Sequence, residues 1–422
     1  MEYIFWILLS LFFVFLGLSV STKRKTGKTK LRYVIPTVIF MVPALLLSGI
    51  YAYYHTQLKP QATTSTVSLE NQDFKIGHAT KVQPLSLDDY VRQTASQIAK
   101  FNELSNSFWP GTSFDGAVVY FISNDRQHAW KVENDGSYTQ IEDVKSVPRY
   151  GSVRGYEMEF FPLSMETDGV NGMVIVISQD ALLDQIRYEK YTHLGTYDPL
   201  LTYIHEGFHI FAQDSDRWQD ADVSTAIREN ALDNLEARKL RTYTIRLLSQ
   251  ALQDEENRDL YLKQAVYLHQ LYKRTFAQEY ERVRYFERIE GTASYLEVIS
   301  SLQVSYPESI NETNYTEAVG LWAANRRPED VLGASHEAYE LGALAGALLD
   351  TKTNPNSWKR LIETDPTATP MDLIEGLYTQ DEIDQVAIPE ISEEFTDSLV
   401  ESINRGPTVR NNLISFLYHI FF

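Results

Sequence analysis

The segment 202–211 (TYIHEGFHIF) constrains the fold of this chain more than any other. It contains His-Glu-x-x-His within a short apolar run, and Asp198-Pro199 just before it supplies a helix start, with Asp as the cap and Pro in the first turn. On a helix, His205 and His209 project from one face, so both imidazoles can reach one metal ion. The fold must therefore bury this helix and complete a site beside that face.

The chemistry of the segment favours a zinc site. The chain has no cysteine, so histidine and carboxylate side chains have to supply every metal ligand. Glu206 lies between the two histidines and is placed to take a proton from a water molecule that the zinc has acidified. The alternative is an ordinary amphipathic core helix with two hydrogen-bonded histidines, but burying such groups without a partner is costly.

Two glutamates compete to be the third ligand that a catalytic zinc normally has. Glu290 is followed by Gly291, which would allow two helices to approach closely. Glu229 follows His209 more closely in the sequence, and Asp233 one turn later could orient a histidine from outside the ligand shell. Spacing alone favours Glu229, and the residues leave both possibilities open.

Three motifs together resemble those of a known enzyme family. HEGFH at 205–209, EGTASY at 290–295 and YELG at 339–342 are similar to the motif series of the gluzincin metallopeptidases, especially the M1-like or peptidase MA-like group. The resemblance covers about residues 198–350. It implies a zinc metallopeptidase in which Glu290 is the third ligand, Glu206 is the general base and Tyr339 donates a hydrogen bond to the oxyanion.

The resemblance also implies the reaction, which is hydrolysis of a peptide bond in a peptide or protein substrate. Glu206 would accept the proton of the attacking water and pass it to the leaving amine. The alternative is a catalytically inactive binding module on the same fold. Such a module is typically marked by a lost base or ligand, whereas Glu206 and both histidines are present.

The N-terminal region predicts a membrane anchor. Two uncharged apolar runs, 4–20 and 33–54, are each long enough to span a bilayer, and a basic segment lies between them. Because positive loops stay in the cytoplasm, we expect a two-helix hairpin with the rest of the chain on the outer face of the cell membrane. A cleaved or re-entrant first segment is the alternative.

Charge excludes one class of partner. The formal net charge of −19 argues against nucleic-acid binding and against tight docking on anionic lipid. An acidic surface is also the ordinary means of keeping a protein soluble, so it does not identify a cationic substrate. Nothing in the sequence indicates an oligomeric state.

The order of patterns along the chain predicts the fold class. An amphipathic helix is expected at 86–101, followed by strands at 117–123, 129–133, 137–141, 156–161 and 173–178. Helices are expected at 224–252, 258–301, 335–350, 357–363, 371–379 and 390–404. The prediction is an α+β protein with a membrane hairpin (1–54), a linker (55–85), a part with a small mixed sheet (86–197) and a mostly helical zincin-like metallopeptidase part (198–422).

Overall fold

A computed structural model describes most of the chain between residues 86 and 405. The described residues are 86–155, 159–177, 198–218, 234–305, 310, 314–324 and 333–405. The predicted membrane hairpin (1–54), the predicted linker (55–85) and Glu229 with Asp233 lie outside them.

The first described element is helix α1, Leu87–Phe108. It begins where the sequence predicts, because the Ser86 hydroxyl accepts a hydrogen bond from the amide of Asp89 and so caps the first turn. It extends one to two turns beyond the predicted end at Phe101, since Phe101 and Phe108 are both buried on the same apolar face.

A five-stranded mixed sheet follows, in the order β3-β2-β1-β5-β4. Strands β1 and β5 pair in parallel and the other neighbours pair antiparallel. Every residue of β5 is buried, as expected for a strand covered on both faces. Met173 and Ile175 face the core shared with the helices, whereas Val174 and Val176 face a smaller core on the other side. The strands are β1 Val118–Ser123, β2 Ala129–Val132, β3 Tyr138–Gln140, β4 Phe160–Leu163 and β5 Gly172–Ile177.

The remainder of the described chain is helical. A short helix, α2 Met165–Asp168, precedes β5. After the sheet come α3 Asp198–Phe208 with a π-helical turn His209–Gln213, α4 Leu235–Gln253, α5 Arg258–Thr275, α6 Ala277–Ser305, α7 Tyr315–Ala324, α8 Ala334–Lys352, α9 Pro355–Thr364, α10 Pro370–Glu375, α11 Gln380–Asp384 and α12 Glu393–Arg405. The stretch 258–301 is helical as predicted, but it divides into α5 and α6 at Phe276.

Two glycines let α6 and α8 cross at close range. A Cβ atom on Gly342 would lie 2.3 Å from the Cα of Gly291, and one on Gly291 would lie 2.8 Å from the carbonyl oxygen of Ala338. Only glycine avoids these overlaps. The predicted role of Gly291 in a close helix approach is therefore confirmed, and the crossing places the residue before it, Glu290, near Tyr339 on α8.

One hydrophobic core joins the sheet to the helices. Trp109, which follows α1, is fully buried against the rings of Phe208 on α3 and Trp358 on α9. The same core contains residues of β5, α4 and α8. Sheet and helices accordingly belong to one compact unit.

The predicted fold class needs correction. The described chain is mostly helical with a small five-stranded mixed sheet, and none of its helices is both long enough and apolar enough to cross a membrane. The longest, α6, carries charged side chains through its first half (AQEYERVRYFERIE), and three of them, Glu287, Arg288 and Glu290, are buried. The fold class that included a membrane hairpin is therefore not supported.

Candidate metal centre

Helix α3 is buried along one apolar face. Leu200, Ile204 and Phe208 are fully buried, and His205 is only 8% exposed. Gly207 lies against the ring of Phe114, where a Cβ atom would be 2.4 Å from a ring carbon. The helix is thus held between the aromatic core on one side and α6 on the other, and its two histidines face α6.

The two histidines and Glu290 converge on one point. The Nε2 atom of His205 lies 3.1 Å from Oε2 of Glu290, and the Nε2 atom of His209 lies 3.2 Å from the same oxygen. All three ligand atoms lie within 4.8 Å of one another, which is a spacing that one metal ion can bridge. The structure therefore brings together three residues, from α3, the π-helical turn and α6, that could hold a metal ion.

The other nitrogen of each imidazole is also held. The Nδ1 atom of His205 lies 3.0 Å from Oε2 of Glu297, and the Nδ1 atom of His209 lies 2.5 Å from Oε1 of Gln213. Partners on the far ring nitrogen are what metal-binding histidines usually have, because they fix the ring's orientation and tautomer. Gln213 ends the π-helical turn, a local widening that is frequent at functional sites.

Glu290 and the two histidines shift one another's pKa values. Burial raises the pKa of Glu290, but contacts with His205 and His209 outweigh it and hold the pKa well below its usual range. Burial lowers the pKa of His205, but Glu290 and Glu297 outweigh it and raise the pKa to about 10. Positive charge is therefore strongly favoured at the point where these side chains meet.

Glu206 lies on α3 next to His205, but its carboxylate is not hydrogen-bonded to His205, His209 or Glu290. Within the described residues, its carboxylate has no hydrogen bond or ion pair. Burial raises its pKa, although the neighbouring histidines pull it down. A partly buried carboxylate with a raised pKa is a better proton acceptor than an exposed one.

Tyr339, the fifth predicted site residue, contacts the cluster through its ring. The ring lies 5.7 Å from that of His205, between centroids, with 9° between the two planes. Tyr339 is partly buried at the start of α8, the helix that crosses α6 at the glycine contact. The structure thus places Tyr339 beside His205, and its predicted role at the oxyanion stays a prediction.

Two residues of the site were missed from the sequence. Glu297 lies seven positions after Glu290, which puts both carboxylates on one face of α6, two turns apart. Gln213 lies four positions after His209. Helical spacing from a predicted ligand was the available signal in both cases, but it does not say which of many polar side chains will reach a histidine.

A second group of potential ligands lies away from this centre. His269 on α5 faces Asp372 and Glu375 on α10. The Lys273 ammonium lies 2.6 Å from Oδ1 of Asp372 and 3.0 Å from Oε2 of Glu375, so both carboxylates already have a cation. This group is an ion-pair cluster that joins two helices, and we do not treat it as a metal site.

Comparisons with known proteins identify no relative of this chain. No protein-family model matches the chain, and neither a curated protein nor a solved structure shows significant similarity to it. The resemblance to gluzincin motifs accordingly stays a prediction.

Proposed function

We propose that this protein is a zinc-dependent peptidase whose metal is held by His205, His209 and Glu290. The observation that carries the proposal is the convergence of two Nε2 atoms and one carboxylate oxygen on a single point. Two imidazoles and a carboxylate are a common ligand set for catalytic zinc, which keeps a fourth position open for water or substrate.

Two imidazole nitrogens and one carboxylate oxygen are donor atoms that zinc binds in proteins. Each histidine has its Nδ1 engaged by a neighbour outside the cluster, so Nε2, which faces Glu290, is the nitrogen that would bind a metal. Glu290 is only 6% exposed, and its oxygen contacts both rings. A buried carboxylate of this kind needs a positive partner, and zinc would supply it in place of a protonated imidazole.

When bound, zinc supplies Lewis-acid activation of water and of a substrate carbonyl. Glu206 acts as the general base, because its partly buried carboxylate follows His205 directly and, among the described residues, has no hydrogen-bond partner that would compete for the proton of the attacking water. It then delivers that proton to the amine of the leaving group. Tyr339 would orient its hydroxyl toward the oxyanion while its ring rests on His205.

The test is zinc content and peptide cleavage by the full-length protein and two variants. We expect about one zinc per chain in the wild type. Glu290→Gln should lose it, because a neutral amide replaces the one charged ligand. Glu206→Gln is the matched control, since it should retain the zinc and lose cleavage of a peptide library.

Two outcomes would contradict the proposal. One is a wild-type protein that retains no zinc at neutral pH after zinc has been added and the unbound excess has been removed by dialysis. The other is a Glu206→Gln variant that cleaves peptides as fast as the wild type.

A further inference from the structure

Gln213 contacts both segments that supply the proposed ligands. It ends the π-helical turn that contains His209, is only 3% exposed, and its side chain reaches α6 on either side of Glu290. We infer that Gln213 is a positioning residue that fixes which ring nitrogen of His209 carries a hydrogen. The metal-binding role of His209 rests on the proposed function, whereas the hydrogen-bond argument does not.

The α6 backbone determines which way the Gln213 amide points. Its Nε2 lies 2.9 Å from the carbonyl oxygen of Ile289 and 3.0 Å from Oγ1 of Thr292. A carbonyl oxygen can only accept a hydrogen bond. The single hydrogen of the Thr292 hydroxyl is donated to a helix carbonyl, that of Arg288 at 2.6 Å, so this oxygen is also an acceptor toward Gln213.

The reversed amide is excluded by the same contacts. Its oxygen would then face the Ile289 carbonyl oxygen, which can only accept, and could gain a donor only if the Thr292 hydroxyl gave up its hydrogen bond to the Arg288 carbonyl. Both hydrogens of the Gln213 NH₂ group are instead used on Ile289 and Thr292. The amide oxygen therefore faces His209.

That orientation decides the tautomer of His209. Oε1 of Gln213 lies 2.5 Å from Nδ1 of His209, and an amide oxygen can only accept, so Nδ1 carries the hydrogen. In the zinc-free protein Nε2 faces the carboxylate oxygen Oε2 of Glu290 at 3.2 Å. With a metal bound between the two atoms, Nε2 would present its lone pair to that metal. Hydrogen bonding at the backbone of α6 thus sets the protonation pattern of a ring on the neighbouring segment.

A purely structural role makes a different prediction. If Gln213 only tethers the π-helical turn to α6, its loss would lower stability and leave the tautomer of His209 unchanged. Nitrogen signals of ¹⁵N-labelled histidine separate the two cases, because a protonated and an unprotonated ring nitrogen differ strongly in chemical shift. The chain has 9 histidines, so a His209→Gln variant is used to assign the signals.

The experiment records these spectra for the zinc-free full-length protein and three variants. In the wild type we expect Nδ1 of His209 to carry a hydrogen. In Gln213→Met, which keeps the length of the side chain without its polar atoms, we expect a smaller fraction of the rings to carry a hydrogen on Nδ1. Gln213→Glu should restore the wild-type fraction, because one oxygen of a protonated carboxyl group still accepts from Nδ1 while its hydroxyl donates to the Ile289 carbonyl. Gln303→Met, another buried glutamine on α6, is the matched control and should leave it unchanged.

Zinc affinity, measured by competition with a chromophoric chelator, is the second readout. Gln213→Met should bind zinc about 10- to 100-fold more weakly, and Gln303→Met should bind it as the wild type does. An unprotonated Nδ1 in the wild type, or a Gln213→Met spectrum identical to that of the wild type, would overturn the inference. A wild type that binds no zinc would refute the proposed function, while the spectra would still decide the role of Gln213.

Discussion

His205 is held on both sides by one helix. Its Nε2 lies beside Glu290 and its Nδ1 beside Glu297, two carboxylates that project from the same face of α6. The ring cannot turn without losing one of these contacts, and turning would place its CH edge against a carboxylate. The orientation of His205 therefore follows the position of α6, just as that of His209 follows from Gln213.

Tyr339 contributes a ring and a hydroxyl, and these can be separated by substitution. Tyr339→Phe keeps the ring that lies parallel to His205 and removes only the hydroxyl. If the hydroxyl stabilises the oxyanion, kcat should fall by about a hundredfold, because one such donor is typically worth that much. Zinc content should not change.

The measurement for Tyr339 is kcat and KM on the best substrate from a peptide library. Tyr339→Leu is the companion variant, since it also removes the ring and should lower zinc affinity through His205. A Tyr339→Phe variant with wild-type kcat would show that the hydroxyl has no part in the reaction.

At the scale of elements, the site depends on how closely α6 and α8 approach. Gly291 follows Glu290 directly, and Gly342 lies one turn after Tyr339. Because each glycine occupies the space that a Cβ atom on the other would need, the distance between these helices is set by the pair. A wider crossing would move Tyr339 away from the histidines.

Gly342→Ala should disturb both stability and the site. The added Cβ would meet backbone atoms of Gly291 at 2.3 to 2.8 Å, and backbone cannot rotate away as a side chain can. We expect the free energy of unfolding to fall by about 1–3 kcal/mol, as for other overpacked cores. Zinc affinity should fall as well, since Glu290 is carried on the displaced helix.

Chemical denaturation and chelator competition would measure the two effects of Gly342→Ala. Gly376→Ala is the control, because a Cβ atom there would meet only ordinary contacts at 3.5 and 3.6 Å. Equal unfolding free energies for Gly342→Ala and the wild type would show that the crossing tolerates a methyl group.

Secondary structure was predictable where the sequence pattern is local. The apolar β-branched run of β5 and the Ser86 cap of α1 are signals of this kind. The break at Phe276 was not predictable, because neither glycine nor proline stands there and hydrophobic periodicity continues across it. The π-helical turn at 209–213 was missed for the same reason.

The part of the candidate site that lies on one helix was predictable from the sequence. His205, Glu206 and His209 share one helical segment, so their proximity follows from the sequence. Spacing favoured Glu229 over Glu290, and only the motif resemblance pointed to Glu290. The contact between α3 and α6 that brings Glu290 to the histidines is a matter of tertiary packing, which no local pattern encodes.

At the scale of the whole molecule, a partly buried ion-pair cluster outside the candidate metal centre joins the helices. Asp372 on α10 accepts hydrogen bonds from the ammonium of Lys273 on α5 and from the hydroxyl of Tyr280 on α6, both at 2.6 Å. Three helices thus meet at one carboxylate. Its side chain is 20% exposed, so water screens these contacts only partly.

This cluster should make the fold sensitive to acid. Burial raises the pKa of Asp372, but contacts with His269 and Lys273 outweigh it and hold the pKa well below its usual value. In the unfolded chain the carboxylate of Asp372 takes up a proton at about pH 4. Its contribution to stability is therefore present above that pH and is lost as the pH falls toward the lower folded value.

Urea unfolding between about pH 5 and pH 3 tests this, with wild type beside Asp372→Asn. The wild type should lose stability more steeply, by at most about 1.4 kcal/mol per pH unit for this one group, so the gap between the two proteins narrows as the pH falls. Asp115→Asn, which alters an exposed carboxylate, should parallel the wild type. Parallel curves for Asp372→Asn and the wild type would mean that Asp372 does not link acid to unfolding. The loss would then have to come from other carboxylates, of which Glu290, held between His205 and His209, is the first to examine.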